Sequence, residues 1–292
     1  MNKTELKKEL KYNLRFIPDK AYIKLYYFVN LGKRINLNKP KTFNEKLNWL
    51  KFNDRNPNYT VIVDKLKNRN YIKGKIGEKY LVPLIGSWEK YQDINFDMLP
   101  DKFVLKCNHD SGSTVICTSK NKLDKKKTKK IITKSLKRNF YYIGREWQYK
   151  NIKPMVLCED LIGDGMVPPD DYKFFCFNGV PKFVMVCQGR ETGIPKYYFF
   201  DMDWNLQRFN QWGMKVKSED IVSKPEKFNE MVDIARKLSE GFIFSRIDLY
   251  YVNNLIYFSE ITLCPNSGFD SNLFKEADFL LGEMINLYGN LK

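Results

Sequence analysis

The sequence predicts an α+β fold built on antiparallel sheets, and three observations carry that expectation. Asn178-Gly179 separates two apolar segments, Tyr172–Phe177 and Pro181–Cys187, as in a tight hairpin. Asn253-Asn254 joins two more, Phe244–Val252 and Leu255–Leu263. Between these hairpins Phe228, Met231, Val232, Ala235 and Leu238 recur three or four residues apart, giving an amphipathic helix stopped at Gly241.

The remaining elements follow in order. Residues 1–55 read as helices interrupted at Pro18 and at Asn38-Lys39-Pro40, and Thr42 with Glu45 forms a capping box opening Phe43–Phe52. Val61–Lys75 is a second helical stretch, with Asp64 as an N-cap candidate, and Tyr80–Ile85 a short buried strand ending at Gly86. Phe103–Lys106 and Val115–Thr118 make a hairpin with a small polar tip. Lys120–Arg138 is helical, Pro154–Leu161 a strand followed by turns at Gly163 and Gly165, and Lys196–Phe200 another strand. A closing helix runs from about Ala277 to Tyr288. The expected division is a helical region 1–55, a segment 56–100, one lobe over 101–162 and a second over 163–292.

Composition narrows the function classes. The chain has 292 residues and 43% hydrophobic content, too apolar for a disordered chain despite its net charge of +16. No apolar run approaches the roughly 18 residues of a membrane span, and MNKTELKKEL is no signal peptide, so a cytoplasmic protein is expected. Six cysteines without a CxxC pair, beside one histidine, predict buried thiols rather than zinc or disulfides. Lys120–Arg138 holds ten Lys/Arg among nineteen residues at helical spacing, which reads as a solvated basic face. With no helix-turn-helix, zinc-finger or RNP signature, nucleic acid is not an expected partner. Ala21–Leu31 is aromatic; packing on the protein body is favoured, with membrane-surface contact through residues 1–38 as the alternative.

Several constellations can carry chemistry. Asp248 and Glu260 stand on adjacent strands of an apolar hairpin, with Arg246 two residues before one and Thr262 two after the other. Paired carboxylates there repel unless a cation intervenes; magnesium suits them, because it binds one or two carboxylates plus substrate phosphates. The bland alternative is a salt bridge from Arg246. Lys106 ends the FVLK strand before Asn108, His109 and Ser111-Gly112-Ser113, a small loop whose N–H groups suit phosphates although no Walker sequence is present. Alone that signal is weak, since Ser-Gly is more often an ordinary turn. Glu159-Asp160 ends one strand, and Asp171 and Lys173 open the next. Asp201-Met202-Asp203 fits the metal-binding pattern of glycosyltransferases, a rival class, but sits where turn acids are common.

Taken in order, KPKTFNEKLNWLK (39–51), VDKLKNRNYIKGKIG (63–77), LPDKFVLKCNHDSG (99–112), DDYKFFCFNG (170–179) and SRIDLYYVNNLIYFSEITLCPNSGF (245–269) resemble the ATP-grasp superfamily. The likeness is closest to the TupA-like branch found in teichuronopeptide and capsular polysaccharide biosynthesis. That resemblance implies two lobes clasping ATP between antiparallel sheets, with Mg2+ bridging the triphosphate to acids. Lys65 and Lys106 would face phosphate, Ser111, Gly112 and Ser113 would close over it, and Glu159, Asp160, Leu161 and Ile162 would form the adenine hinge. Asp171 would take the ribose position, with Lys173 a further nucleotide contact. Asp248, Glu260 and Thr262 would hold metal. Thr262 stands where the family has Asn, and Asn266 is a candidate substitute. Arg246 would stabilise the acyl phosphate and tetrahedral oxyanion, and His109 is a candidate base. Asn108, Ser267 and Gly268 would line the substrate side. The implied reaction activates a carboxylate with ATP and joins it to an amine, on an acidic glycan or lipid-linked acceptor. Alternatives are a capsular glycosyltransferase, an ATP-dependent sugar kinase, or a non-catalytic nucleotide-binding protein.

Overall fold

The computed structural model describes residues 3–163, 165, 169–217 and 221–287. In chain order its helices are α1 (Lys3–Asn13), α2 (Asp19–Leu31), α3 (Phe43–Asn53), α4 (Tyr59–Val63), α5 (Asn68–Ile76), α6 (Lys125–Leu136), α7 (Tyr141–Gly144), α8 (Gln211–Lys215), α9 (Phe228–Ser239) and α10 (Lys275–Glu283). Its strands are β1 (Leu84–Trp88), β2 (Phe103–Cys107), β3 (Val115–Cys117), β4 (Val156–Glu159), β5 (Asp171–Phe177), β6 (Val180–Gln188), β7 (Lys196–Asp201), β8 (Leu206–Gln207), β9 (Phe244–Val252) and β10 (Leu255–Thr262). They form a four-stranded sheet, β1-β4-β2-β3, and a six-stranded sheet, β10-β9-β5-β6-β7-β8. Every pairing described is antiparallel.

Two compact units result, one of Met1–Tyr12 with Asn56–Pro169 and one of Asn13–Arg55 with Asp170–Lys292. The stretch 1–55 is therefore shared between the units rather than forming a region of its own. Glu5 of α1 accepts from Arg138 at 2.7 Å and pairs with Lys134 at 3.1 Å, which ties α1 to the first unit. Phe43, Leu47 and Leu50 of α3 instead enter the core of the second unit beside Phe175, Phe177, Phe183 and Phe244. Each fully buried Phe there contributes about 1.5–3 kcal/mol relative to exposure.

In the first unit Phe103, Leu105 and Cys107 of β2 pack with Ile132 of α6, so alternation turns Val104 and Lys106 to the opposite face. In the second unit the face bearing Phe174 packs on α9, where Phe174 and Phe228 rings stack at 5.8 Å. On the other face β5 changes character along its length, from Asp171 and Lys173 to Phe175 and Phe177. The register pairs Lys173 with Asp248 and Phe177 with Phe244, so one face carries both a polar cluster and the aromatic core.

All three predicted hairpins are present, and the Thr42–Glu45 capping box opens α3. Three elements differ. The helix expected over Val61–Lys75 is split into α4 and α5, because Asp64 is extended. The strand expected over Tyr80–Ile85 begins later and runs through Gly86, since Pro83 has no N–H to donate and a bulge lies between Leu84 and Gly86. The closing helix spans Lys275–Glu283, and Tyr288 lies outside the described residues. Tyr22, Ile23 and Tyr27 of α2 are fully buried against Phe269, which is the packing expected of the aromatic stretch. All six cysteines are free and buried. No described helix is long and apolar enough to cross a membrane.

Candidate functional site

In the first unit two lysines, Lys65 and Lys8, contact the segment that follows β2, and Lys106 of β2 faces the end of β4. Lys106 pairs with Glu159 at 2.5 Å, and Arg69 of α5 reaches the other Glu159 oxygen at 3.3 Å. Glu159 is thus a bridge between two cations at the end of β4. Lys65 donates from Nζ to the Asp110 carbonyl at 2.8 Å, and its backbone N–H donates to the Asn108 carbonyl at 3.0 Å. Lys8 of α1 donates to the Ser111 carbonyl. Gly112 has φ +91°, and a Cβ there would lie 2.7 Å from Lys8 Nζ, so glycine permits the approach.

The base of this hairpin is rigid. Ser113 accepts from the Cys107 N–H at 2.9 Å and donates to Asp110 Oδ1 at 2.6 Å. Asn108 donates to Asp64 Oδ1 and to the Lys153 carbonyl, both at 3.0 Å, and accepts from the Met155 N–H at 2.8 Å. Asp64 also accepts from the N–H groups of Leu66 and Lys67, so it caps a turn as expected. His109 is 1% exposed, with Nε2 3.1 Å from the Arg138 carbonyl and Nδ1 3.2 Å from Asn108 Oδ1. Burial holds its pKa below the usual imidazole value, against the pull of Asp110. The expectations of His109 as a base and Asn108 as a substrate contact therefore meet side chains committed to the fold. After β4 the Asp160 N–H donates to the Pro83 carbonyl at 3.0 Å, Asp160 is exposed, and Leu161 and Ile162 are half-buried.

The second unit gathers six of the expected residues and adds Arg190. Arg246 donates to both oxygens of Asp248 at 2.7 Å, to Glu260 at 3.3 Å and to the Thr262 hydroxyl at 3.2 Å. Lys173 donates to Asp248 at 2.6 Å and also to Asp171, which Arg190 approaches at 3.3 Å. Asp248 is completely buried. Burial pushes its carboxyl above the usual carboxylate range, with Arg246 and Lys173 pulling against it through three N–H donors on its two oxygens. Burial alone would lower Lys173, but Asp171 and Asp248 reverse this and keep its ammonium above the ordinary lysine value.

A bulge in β10 creates this geometry. Phe258 faces Leu249, yet Glu260 faces Asp248, because the register shifts between Phe258 and Glu260. Without the extra residue Glu260 would oppose Ile247 and point to the other face of the sheet. Asp171 Oδ1 is buried with no hydrogen-bond partner among the described residues. An orphaned acceptor of this kind is costly, about 1–3 kcal/mol, and suits a ligand hydroxyl.

The donor set fits magnesium. Asp248, Glu260 and Thr262 offer only hard oxygen ligands, whereas no group of three or more His, Cys, Asp or Glu forms a metal cage among the described residues. The salt bridge named as the alternative is present, with Arg246 between the two carboxylates. On the following turn Asn266, Ser267 and Gly268 have φ of 48°, 53° and 66°. Lys51 donates to the Ser267 carbonyl and Asn48 to the Gly268 carbonyl, both at 2.7 Å. A Cβ at Gly268 would lie 2.6 Å from Asn48 Nδ2.

Sequence reasoning missed Arg69, Lys8, Arg190, Asn48 and Lys51. The last two were readable: Asn44, Asn48 and Lys51 form a polar stripe on a helix face that otherwise carries Phe43, Leu47 and Leu50. Lys8 gave no local signal, since its partner is 103 residues away. Asp201, the first acid of the glycosyltransferase pattern, accepts from the N–H groups of Asp203 and Asn205 and from the Asn205 and Gln207 side chains. It organises the β7–β8 turn.

A D-alanine–D-alanine ligase from Bacillus anthracis complexed with ATP is 17% identical, with TM-score 0.45 over 77% of this chain and 65% of that one. An L-amino acid ligase from Bacillus licheniformis is 12% identical, with TM-score 0.48 over 87% of this chain and 57% of that one. The chain thus spans less than two thirds of either relative's length. No curated protein matches the sequence. The family model described as TupA-like ATPgrasp matches residues 45–286, most of the chain, and contains all three hairpins, Lys65, Lys106 and the Asp248–Glu260 pair. The chain belongs to the TupA-like ATPgrasp family and has its α+β ATP-grasp fold.

Proposed function

We propose that the protein is an ATP-dependent ligase that activates a carboxylate as an acyl phosphate and joins it to an amine. The observation that carries this is the opposition of Asp248 and Glu260 with Arg246 between them. Asp248, Glu260 and Thr262 would hold magnesium, which when bound neutralises phosphate charge and orients the transferring group. Lys65 and Lys106 then bind phosphate oxygens, and the orphaned Asp171 Oδ1 accepts from a nucleotide hydroxyl. Carboxylate attack on the terminal phosphorus forms one C–O–P linkage and releases ADP. Amine attack on the acyl carbon then expels phosphate, and Arg246 stabilises the oxyanion of that step. The excess of cations over acids supports an acidic glycan or lipid-linked acceptor of cell-surface polysaccharide synthesis. The test is ADP release with Mg-ATP, uronic acids and amino acids. Release requiring both acid and amine supports ligation; release with a sugar hydroxyl alone indicates a kinase, and UDP-sugar turnover without ATP a glycosyltransferase.

A further inference from the structure

Helix α1 lies outside the residues that match the family, yet it places a cation on the loop proposed to receive phosphate. Lys8 Nζ donates to the Ser111 carbonyl and occupies the space beside Gly112, the conformationally freest residue of the tip. Two features show that this placement is built. Glu5 pairs with Arg138 and Lys134, and Glu9 also pairs with Lys134, so α1 is pinned to α6 and to Arg138 two residues beyond it. Tyr12 packs edge-on against Tyr142 at 5.9 Å, fixing the other end of the helix. Burial lowers the Lys8 pKa, with Asp110 and Glu5 opposing, so the ammonium rests in a partly dry place on a neutral carbonyl. A carbonyl is a weak partner for a desolvated cation, and an anionic oxygen a much stronger one.

We propose that Lys8 is a third phosphate-binding lysine, parked on the Ser111 carbonyl until the terminal phosphates of ATP reach the loop. α1 thereby acts as a latch: the ammonium holds the tip in place, then moves to a phosphate oxygen while the loop stays over the ligand. This rests on the ATP reading above. It also makes nucleotide affinity depend on the surface ion pairs that dock α1, which salt screens.

Calorimetric titration of the full chain with Mg2+ and a non-hydrolysable ATP analogue, with ADP and with AMP, tests it. Lys8→Gln should weaken the triphosphate at least tenfold and ADP less, leave AMP and the melting temperature unchanged, and be largely rescued by Lys8→Arg. Glu5→Gln with Glu9→Gln should weaken the triphosphate in the same direction without altering Lys8. Equal weakening of AMP and triphosphate would show a purely structural role and overturn the proposal, as would wild-type affinity in Lys8→Gln. If the wild-type chain binds no triphosphate, the ATP reading itself falls and takes this one with it.

Discussion

The two units hold their charges differently. In the first, Lys65 and Lys8 rest on backbone carbonyls, and Lys106 shares Glu159 with Arg69. In the second, Lys173, Arg190 and Arg246 are knitted to Asp171, Asp248 and Glu260 in a network with a fully buried carboxylate at its centre. Cations on neutral oxygens exchange partners at little cost, whereas a buried ion network cannot lose one member without stranding the others. The first arrangement suits binding and release of a polyphosphate. The second suits fixed electrostatics around a reacting centre.

Breaking the second network should have the largest effect. Asp248→Ala takes the fully buried carboxylate from Arg246 and Lys173, leaving them only Glu260, Thr262 and Asp171, and is expected to cost about 3–5 kcal/mol in urea unfolding. Asp248→Asn should cost less stability and still abolish ATP turnover; equal stability losses for the two would mean that charge, not packing, holds the cluster. Glu260→Gln keeps the hydrogen bonds but removes a charge, and turnover should fall about 10²-fold or more with a small change in melting temperature. Lys106→Ala should lower turnover similarly at a stability cost below about 2 kcal/mol, because Glu159 keeps Arg69.

Smaller effects sharpen the contrast. Gly268→Ala, at φ +66° and facing Asn48, should destabilise by about 1–3 kcal/mol without touching the acids. His109 gives the mildest signal. Its pKa is lowered in the folded chain from the 6.5 of a free imidazole, so the unfolded chain binds the proton first as pH falls. The stabilisation is complete above that value and is lost below it, so the melting temperature should drop from pH 7.5 to 5.5. His109→Asn should flatten that slope and leave the acid limb of the kcat profile in place. Loss of that limb would return His109 to catalysis.

Legibility followed the range of the physics. The capping box at Thr42, the turns at Asn178-Gly179 and Asn253-Asn254, and the helix of Phe228–Leu238 are set by neighbours within a few residues, and all are found. The partners of Asn108 and His109 were not legible, because a polar residue beside a loop looks the same whether it faces solvent or bonds to Asp64, Lys153 and the carbonyl of Arg138.

By itself the sequence determined the hairpins and the residue types available to bind phosphate and magnesium, since periodicity and turn chemistry are local, and the resemblance of its ordered motifs pointed to the family. Only the tertiary structure decided that Glu260 stands opposite Asp248, because one extra residue in β10 moves a side chain from one sheet face to the other. It also decided that α1 serves the loop after β2 while α3 serves the aromatic core. Those partners lie far apart along the chain, and pairing across such distances is fixed by packing that no local pattern encodes.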